Sequence, residues 1–130
     1  MDTRSKILTP AEACLLPPPL TVVTGYFEIP RAELVRELRE ARERLAGSML
    51  VAVVLPLANA AHGQRARAEM AAALRMIDYV VIADEADPNT YIDSLKPAAR
   101  VRLEEAEARR MRELRDHVRS RQEDLQWRTL

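Results

Sequence analysis

The residues of this chain best placed to do chemistry surround one glycine. Gly25-Tyr26-Phe27-Glu28 follows a short β-branched run, and Arg31 comes three positions later. Glycine permits a tight turn or a close backbone approach to a ligand. A guanidinium such as that of Arg31 grips phosphate through paired N–H groups, yet does not serve as a titrating group. His62 lies in the loop sequence AAHGQR. An exposed loop histidine is its plain reading, and a phosphate-binding or catalytic role is the alternative. Arg67 opens a helical stretch, where an arginine is ordinarily a solvated charge. His117 sits in a charged stretch and reads as structural or solvated. Asp84, Glu85 and Asp87 cluster after an apolar run, but no histidine or further ligand spacing accompanies them, so no metal site is expected. The sequence shows no nucleophile–base pair, glycine-rich phosphate loop or zinc pattern. Cys14 stands alone, which excludes an intramolecular disulfide and a cysteine-based metal cage.

A chain of 130 residues, 48% hydrophobic and 31% charged, is long enough for one domain with a real core. Twenty basic residues balance twenty acidic ones, so no global field draws nucleic acid or an anionic membrane. No run approaches the ~20 apolar residues that span a bilayer. The early charges Asp2, Arg4 and Lys6 precede no apolar run, so no signal peptide is expected and a cytoplasmic protein is.

The elements that must position the candidate residues alternate in type. Pro10–Leu16 reads as a short helix with Thr9 as N-cap and Glu12 completing a capping box. Pro17, Pro18 and Pro19 stop it and force an extended link. Leu20–Thr24 reads as a buried strand. Arg31–Ala46 carries a stripe of Leu34, Val35, Leu38, Ala41 and Leu45 at helical spacing, and Gly47 ends it. Met49–Leu55 is a continuous apolar run, as expected of a strand covered on both faces. A loop over 56–63, a helix over 65–76, a strand over 79–83, a short helix over 88–95 and a weak strand around Val101 follow. From Glu104 to Leu125 the pattern is one long charged helix with a narrow stripe of Met111, Leu114, Val118 and Leu125. Its acidic start suits the helix dipole, and its stripe resembles a short heptad seam. Seven arginines in this C-terminal segment face seven acids, which argues against an RNA-binding helix. Strand–helix alternation predicts a single domain over 1–130: a three-layer, Rossmann-like parallel sheet of four or five strands, with helices on both faces. Residues 1–19 form its lead-in and 104–130 its C-terminal helix.

Thr21 to Leu38, TVVTGYFEIPRAELVREL, resembles the signature of the HIGH-motif nucleotidyltransferases, a cytidylyltransferase-like superfamily with G-x-F-D-x-x-H-x-G-H after its first strand. Gly25, Phe27, Ile29, Ala32 and Leu38 fit its sugar-phosphate members in register. KILTPAEA at Lys6–Ala13 is similar to the lead-in of the heptose-phosphate adenylyltransferase domains. RAEMAAALRMIDYVVIAD at Arg67–Asp84 is similar to their helix and fourth strand. The resemblance covers residues 6–103, extends to the glycerol-phosphate cytidylyltransferase domains, and implies a nucleotide crevice at the carboxyl ends of the strands. It marks Gly25, Tyr26, Phe27, Glu28, Arg31 and Arg67 as the residues that would meet a nucleotide.

The same resemblance shows what is missing. Arg31 and Leu34 stand where the two histidines are expected, Glu33 replaces the glycine between them, and Glu28 replaces the aspartate. The loop Pro56–Gln64 contains no lysine, and no late S-T/S-x-I/R signature follows Leu103. In the superfamily those groups stabilise charge as pyrophosphate leaves the α-phosphorus, where catalysis is mostly positioning and electrostatics. The leading expectation is therefore a catalytically degenerate relative that serves as a nucleotide- or partner-binding, regulatory or assembly subunit. A homo-oligomer is expected, with the C-terminal helix as the candidate contact. The alternative is an active transferase that moves a nucleotidyl group from CTP or ATP, with Mg, to a sugar or polyol phosphate. Arg31, Arg67 and His62 would then carry the chemistry.

Overall fold

The computed structural model describes residues 2–28, 32–84 and 88–129. After a 3₁₀ turn at Thr3–Lys6 come β1 (Ile7–Leu8), α1 (Pro10–Ala13), β2 (Leu20–Gly25), α2 (Ala32–Arg44) and β3 (Met49–Val54). Then follow α3 (Gln64–Ala72), β4 (Tyr79–Ile82), α4 (Asn89–Leu95), β5 (Ala99–Arg102) and α5 (Glu104–Thr129). The five strands form one sheet in the order β1-β4-β3-β2-β5, and every pairing is parallel. The expected Rossmann-like α/β architecture and its long C-terminal helix are present.

The apolar alternation of the strands divides the core in two. Val23, Ala52, Val54 and Val80 meet Leu34, Leu38 and Ala41 of α2, and Ala68, Ala71 and Ala72 of α3, on one face. Leu20, Val22, Val51, Val53 and Val81 meet Ala13, Ile92 and Leu95 on the other, under α1 and α4. Because β2 and β3 are covered on both faces, both read as unbroken apolar runs. The chain moves from β2 to β4 beneath α2 and α3, then returns to β5 across the opposite face. Both directions of travel thus keep one crossover hand.

Several boundaries differ from those the sequence suggests. The strand β1 was not foreseen: it is only two residues long, paired to β4 at the sheet edge, and carries no readable periodicity. The helix α3 ends at Ala72 rather than Met76, and a turn leads into Ile77. The capping box at Thr9 forms as expected, with Glu12 N donating to Thr9 Oγ1 at 3.2 Å and Thr9 N donating to Glu12 Oε1 at 3.0 Å. Gly47 adopts φ +84°, the left-handed conformation a helix stop needs. Asp78 ties β3 to α2: its Oδ2 accepts from Leu50 N at 2.8 Å and from Arg42 Nη1 at 2.9 Å. No helix among the described residues is long and apolar enough to cross a membrane.

Leu38 is fully buried between α2 and the sheet. Leu38→Ala should lower the unfolding free energy by about 2–5 kcal/mol, as lost burial and a residual cavity add. Urea denaturation of the variant against the parent checks this.

Candidate functional site

In a parallel sheet the carboxyl ends of the strands gather the loops that meet a ligand. Here β2, β3 and β4 end together, and α5 starts beside them because β5 lies next to β2. Backbone groups at that edge have no further strand to pair with. Buried, they must find partners elsewhere.

Arg67 supplies three of those partners. It is only 2% exposed, so it is not the solvated charge that its place at a helix start suggested. Its Nη1 donates to Tyr26 O at 2.8 Å and Leu55 O at 2.9 Å, and its Nε donates to His62 O at 3.2 Å. One guanidinium therefore fastens the segment after β2 to the segment after β3. Glu28 works from the other side. Its Oε1 accepts from Ala61 N at 2.8 Å and His62 N at 3.2 Å, while Oε2 lies 3.6 Å from Arg67 Nε. That buried Oε2 accepts no hydrogen bond among the described residues. Gln64 adds a bridge, with Nε2 donating to Val54 O at 3.0 Å and also to Ala83 O.

The amides after β2 face α5. Tyr26 N donates to Glu107 Oε1 at 2.8 Å, and Phe27 N donates to Glu107 Oε2 at 2.9 Å. Phe27 turns the chain there with φ +54° while its ring joins the core. Thr24 Oγ1 donates to Glu104 Oε2 at 2.8 Å, so two carboxylates one helical turn apart cover the end of β2. A Cβ on Gly25 would collide with Glu107 Oε1. The close approach that a glycine permits is thus made by the chain's own carboxylate. Glu107 is 7% exposed, and burial pushes its carboxyl up to about 7. The two amide bonds and the nearby Arg110 oppose that rise, and Glu104 adds to it. Arg110 in turn pairs with Glu37 of α2.

Of the residues singled out from sequence, Gly25, Tyr26, Phe27, Glu28, His62 and Arg67 come together at this edge. Their polar groups bind one another and α5. His62 is largely exposed, with Nδ1 3.5 Å from Glu28 Oε1. Arg31 lies outside the described residues, as do Glu85 and Asp87, so only exposed Asp84 of that acidic trio is placed. Among the described residues, no group of three or more His, Cys, Asp or Glu is arranged to hold a metal ion. A groove of about 430 Å³ runs beside the site, between the loop at Leu57–Ala61 and the α5 residues Met111, Leu114 and Val118, with Glu28 in its lining. Sequence reasoning missed Glu104, Glu107 and Gln64. The two acids read as complements to the helix dipole. Only the placement of β5 beside β2 would have brought them to the amides.

A comparison with solved structures finds a shared fold. The lipopolysaccharide core biosynthesis protein from Thermoplasma volcanium GSS1 superposes with a TM-score of 0.57 at 20% identity, over 63% of this chain and 71% of that one. At this identity the likeness is one of fold alone. No protein-family model and no curated protein matches the sequence.

Two outcomes follow from this geometry. An unfolded glutamate ionises near 4.5 and folded Glu107 near 7, so between those values the unfolded chain loses its proton first. Stability is then fullest below 4.5, falls as pH rises towards 7 and levels above it, by roughly 3 kcal/mol for this one group. Denaturation at about pH 5 and about pH 8 should show the fall in the parent and a much smaller one in Glu107→Gln. Arg67→Met should cost about 3–5 kcal/mol, because it strands the buried Glu28 carboxylate and three carbonyls. Chemical denaturation at neutral pH measures it.

Proposed function

We propose that this protein is a catalytically degenerate, cytidylyltransferase-like subunit that binds a nucleotide or a partner and acts in regulation or assembly. The observation that carries the reading is the internal engagement of the carboxyl edge. Arg67 holds carbonyls, Glu107 holds the amides of Tyr26 and Phe27, and Leu34, at a position where the superfamily has a histidine, is buried in the core. Nucleotidyl transfer needs cationic or donor groups aimed at the departing pyrophosphate. Arg67, the buried cation of the described site, already points at backbone oxygens. The name of the solved neighbour, a lipopolysaccharide core biosynthesis protein, suits a sugar-phosphate setting.

The assembly part of the reading rests on α5. From Arg112 onward its described side chains are exposed, with Leu114 at 39% and Val118 at 47%. Met111, Leu114 and Val118 follow heptad spacing beside the apolar groove. A second copy packed through this stripe would cover it, which makes a homodimer the assembly that this surface supports.

A second reading, an active transferase using His62, draws on the 3.5 Å approach of its Nδ1 to Glu28. Pyrophosphate release with Mg-CTP or Mg-ATP and a polyol or sugar phosphate separates the two. We expect none above the uncatalysed rate. Release that His62→Ala abolishes would establish the second reading in place of the first. For assembly, light scattering should give a dimer for the full chain and a monomer for Val118→Glu; a monomeric parent at tens of micromolar would remove the dimer.

A further inference from the structure

The bond between Glu107 and β2 has the form of a bound ligand. Each carboxylate oxygen takes one of two successive backbone amides, at 2.8 and 2.9 Å. The left-handed turn at Phe27 aims both N–H groups at one point, as in the backbone nests that hold anions. Gly25 leaves no side chain in the way, and a Cβ there would strike the oxygen already seated. These amides belong to the turn directly after β2, so the anion is held by the sheet edge itself. The neighbouring Glu104 takes the Thr24 hydroxyl, which leaves Glu107 as the amides' acceptor.

We propose that the amide pair of Tyr26 and Phe27 is an anion site whose resident ligand is Glu107, and that a phosphate-bearing ligand competes with the first turn of α5 for it. The competitor within the chain is weak for two reasons. Burial raises the carboxyl to about 7, so from neutral pH upward the ionised side chain is held at a cost and gains solvation by leaving the site. Glu104 on the same helix adds a second acidic group beside it, and Arg110, the nearby cation, is shared with Glu37 of α2. An entering sulfate or phosphate brings a fixed charge and more acceptor oxygens to the same amides. A cavity of about 420 Å³ borders Tyr26 and Ala108 and is lined by Arg109 and Arg112 together with Glu104 and Glu105, so two cations lie within reach of the rest of a phosphate ester while the two acids offset their charge. The exchange involves no covalent step: the Glu107 side chain swings out and the anion takes its two bonds.

This inference takes from the proposed function only that the edge binds rather than reacts. Titration of nitrogen-15-labelled protein with sulfate, which keeps its charge across neutral pH, tests it. In Glu107→Ala the Tyr26 and Phe27 amide resonances should shift to saturation, with an affinity about tenfold or more above the parent's. The parent should show the same two shifts with weaker affinity, rising from about pH 6 to about pH 8, because seated Glu107 holds its proton more tightly than the displaced side chain and displacement releases it. Should the alanine variant fail to fold, Glu107→Gln keeps the shape without the charge and should bind between the two. Amides that do not move in any of these proteins overturn the proposal, as does an affinity in the folded variants no tighter than the parent's. The readout involves neither turnover nor mass, so its failure leaves the degenerate-subunit reading standing, and failure of that reading leaves this site intact.

Discussion

The backbone groups that parallel strands leave unpaired at their carboxyl edge govern this structure. A buried N–H or carbonyl without a partner costs on the order of 1–3 kcal/mol. At least eight such groups lie at the ends of β2, β3 and β4 and in the loops beyond them. Four side chains satisfy them: Arg67, Glu28, Gln64 and Glu107. Two of the four are carboxyl groups and one is a guanidinium, and Glu28 and Arg67 lie within ion-pair distance of each other. The edge is thus closed by groups of the same chemistry that an open nucleotide site would present outward. Closing it supports the loops and removes the exposed donors at the same time.

The segment that follows β2 obeys the same constraint. Phe27 and Leu34 lie in the core cluster under α2, where an unpaired polar group would be costly. A histidine kept for charge stabilisation has to face the crevice and carries a penalty when buried. Leucine at that position adds apolar contact instead. Natural active sites hold such locally unfavourable arrangements because function requires them. Fold and activity therefore have to be argued from different residues.

What was legible in the sequence follows the range of the interaction that specifies it. The strands β2, β3 and β4 announce themselves through unbroken valine-rich runs, and α2 through its leucine stripe, because periodicity is a local signal. The capping box at Thr9 spans three residues and could be read directly. β1 could not, since two residues at a sheet edge carry no period. The ties that shape the site are longer still. Glu107 meets Tyr26 and Phe27 across some eighty positions, and Arg67 reaches Tyr26 across forty-one. Both residues looked like ordinary helix charges, because their partners are backbone atoms, and backbone atoms leave no mark on the sequence. Gly25 was the one local clue, and it pointed to a close approach without saying by what.

α5 brings the local and long-range parts of this picture into one element. Its first two turns are fastened by Glu104, Glu107 and Arg110, while the stretch from Arg112 to Gln126 runs exposed. That stretch has i,i+4 pairs available at Arg112 with Asp116 and at Arg119 with Glu123, each contributing only about 0.2–0.5 kcal/mol. Ordering a backbone residue costs about 1–2 kcal/mol, so charge pairs alone do not hold a helix of this length. Met111, Leu114 and Val118 form the apolar stripe along it, with Leu114 and Val118 exposed. A helix fixed at its start by carboxylates at the end of β2 and carrying an apolar stripe beyond joins the sheet edge to the helix surface. What seats its first turn also sets where the stripe beyond it is presented.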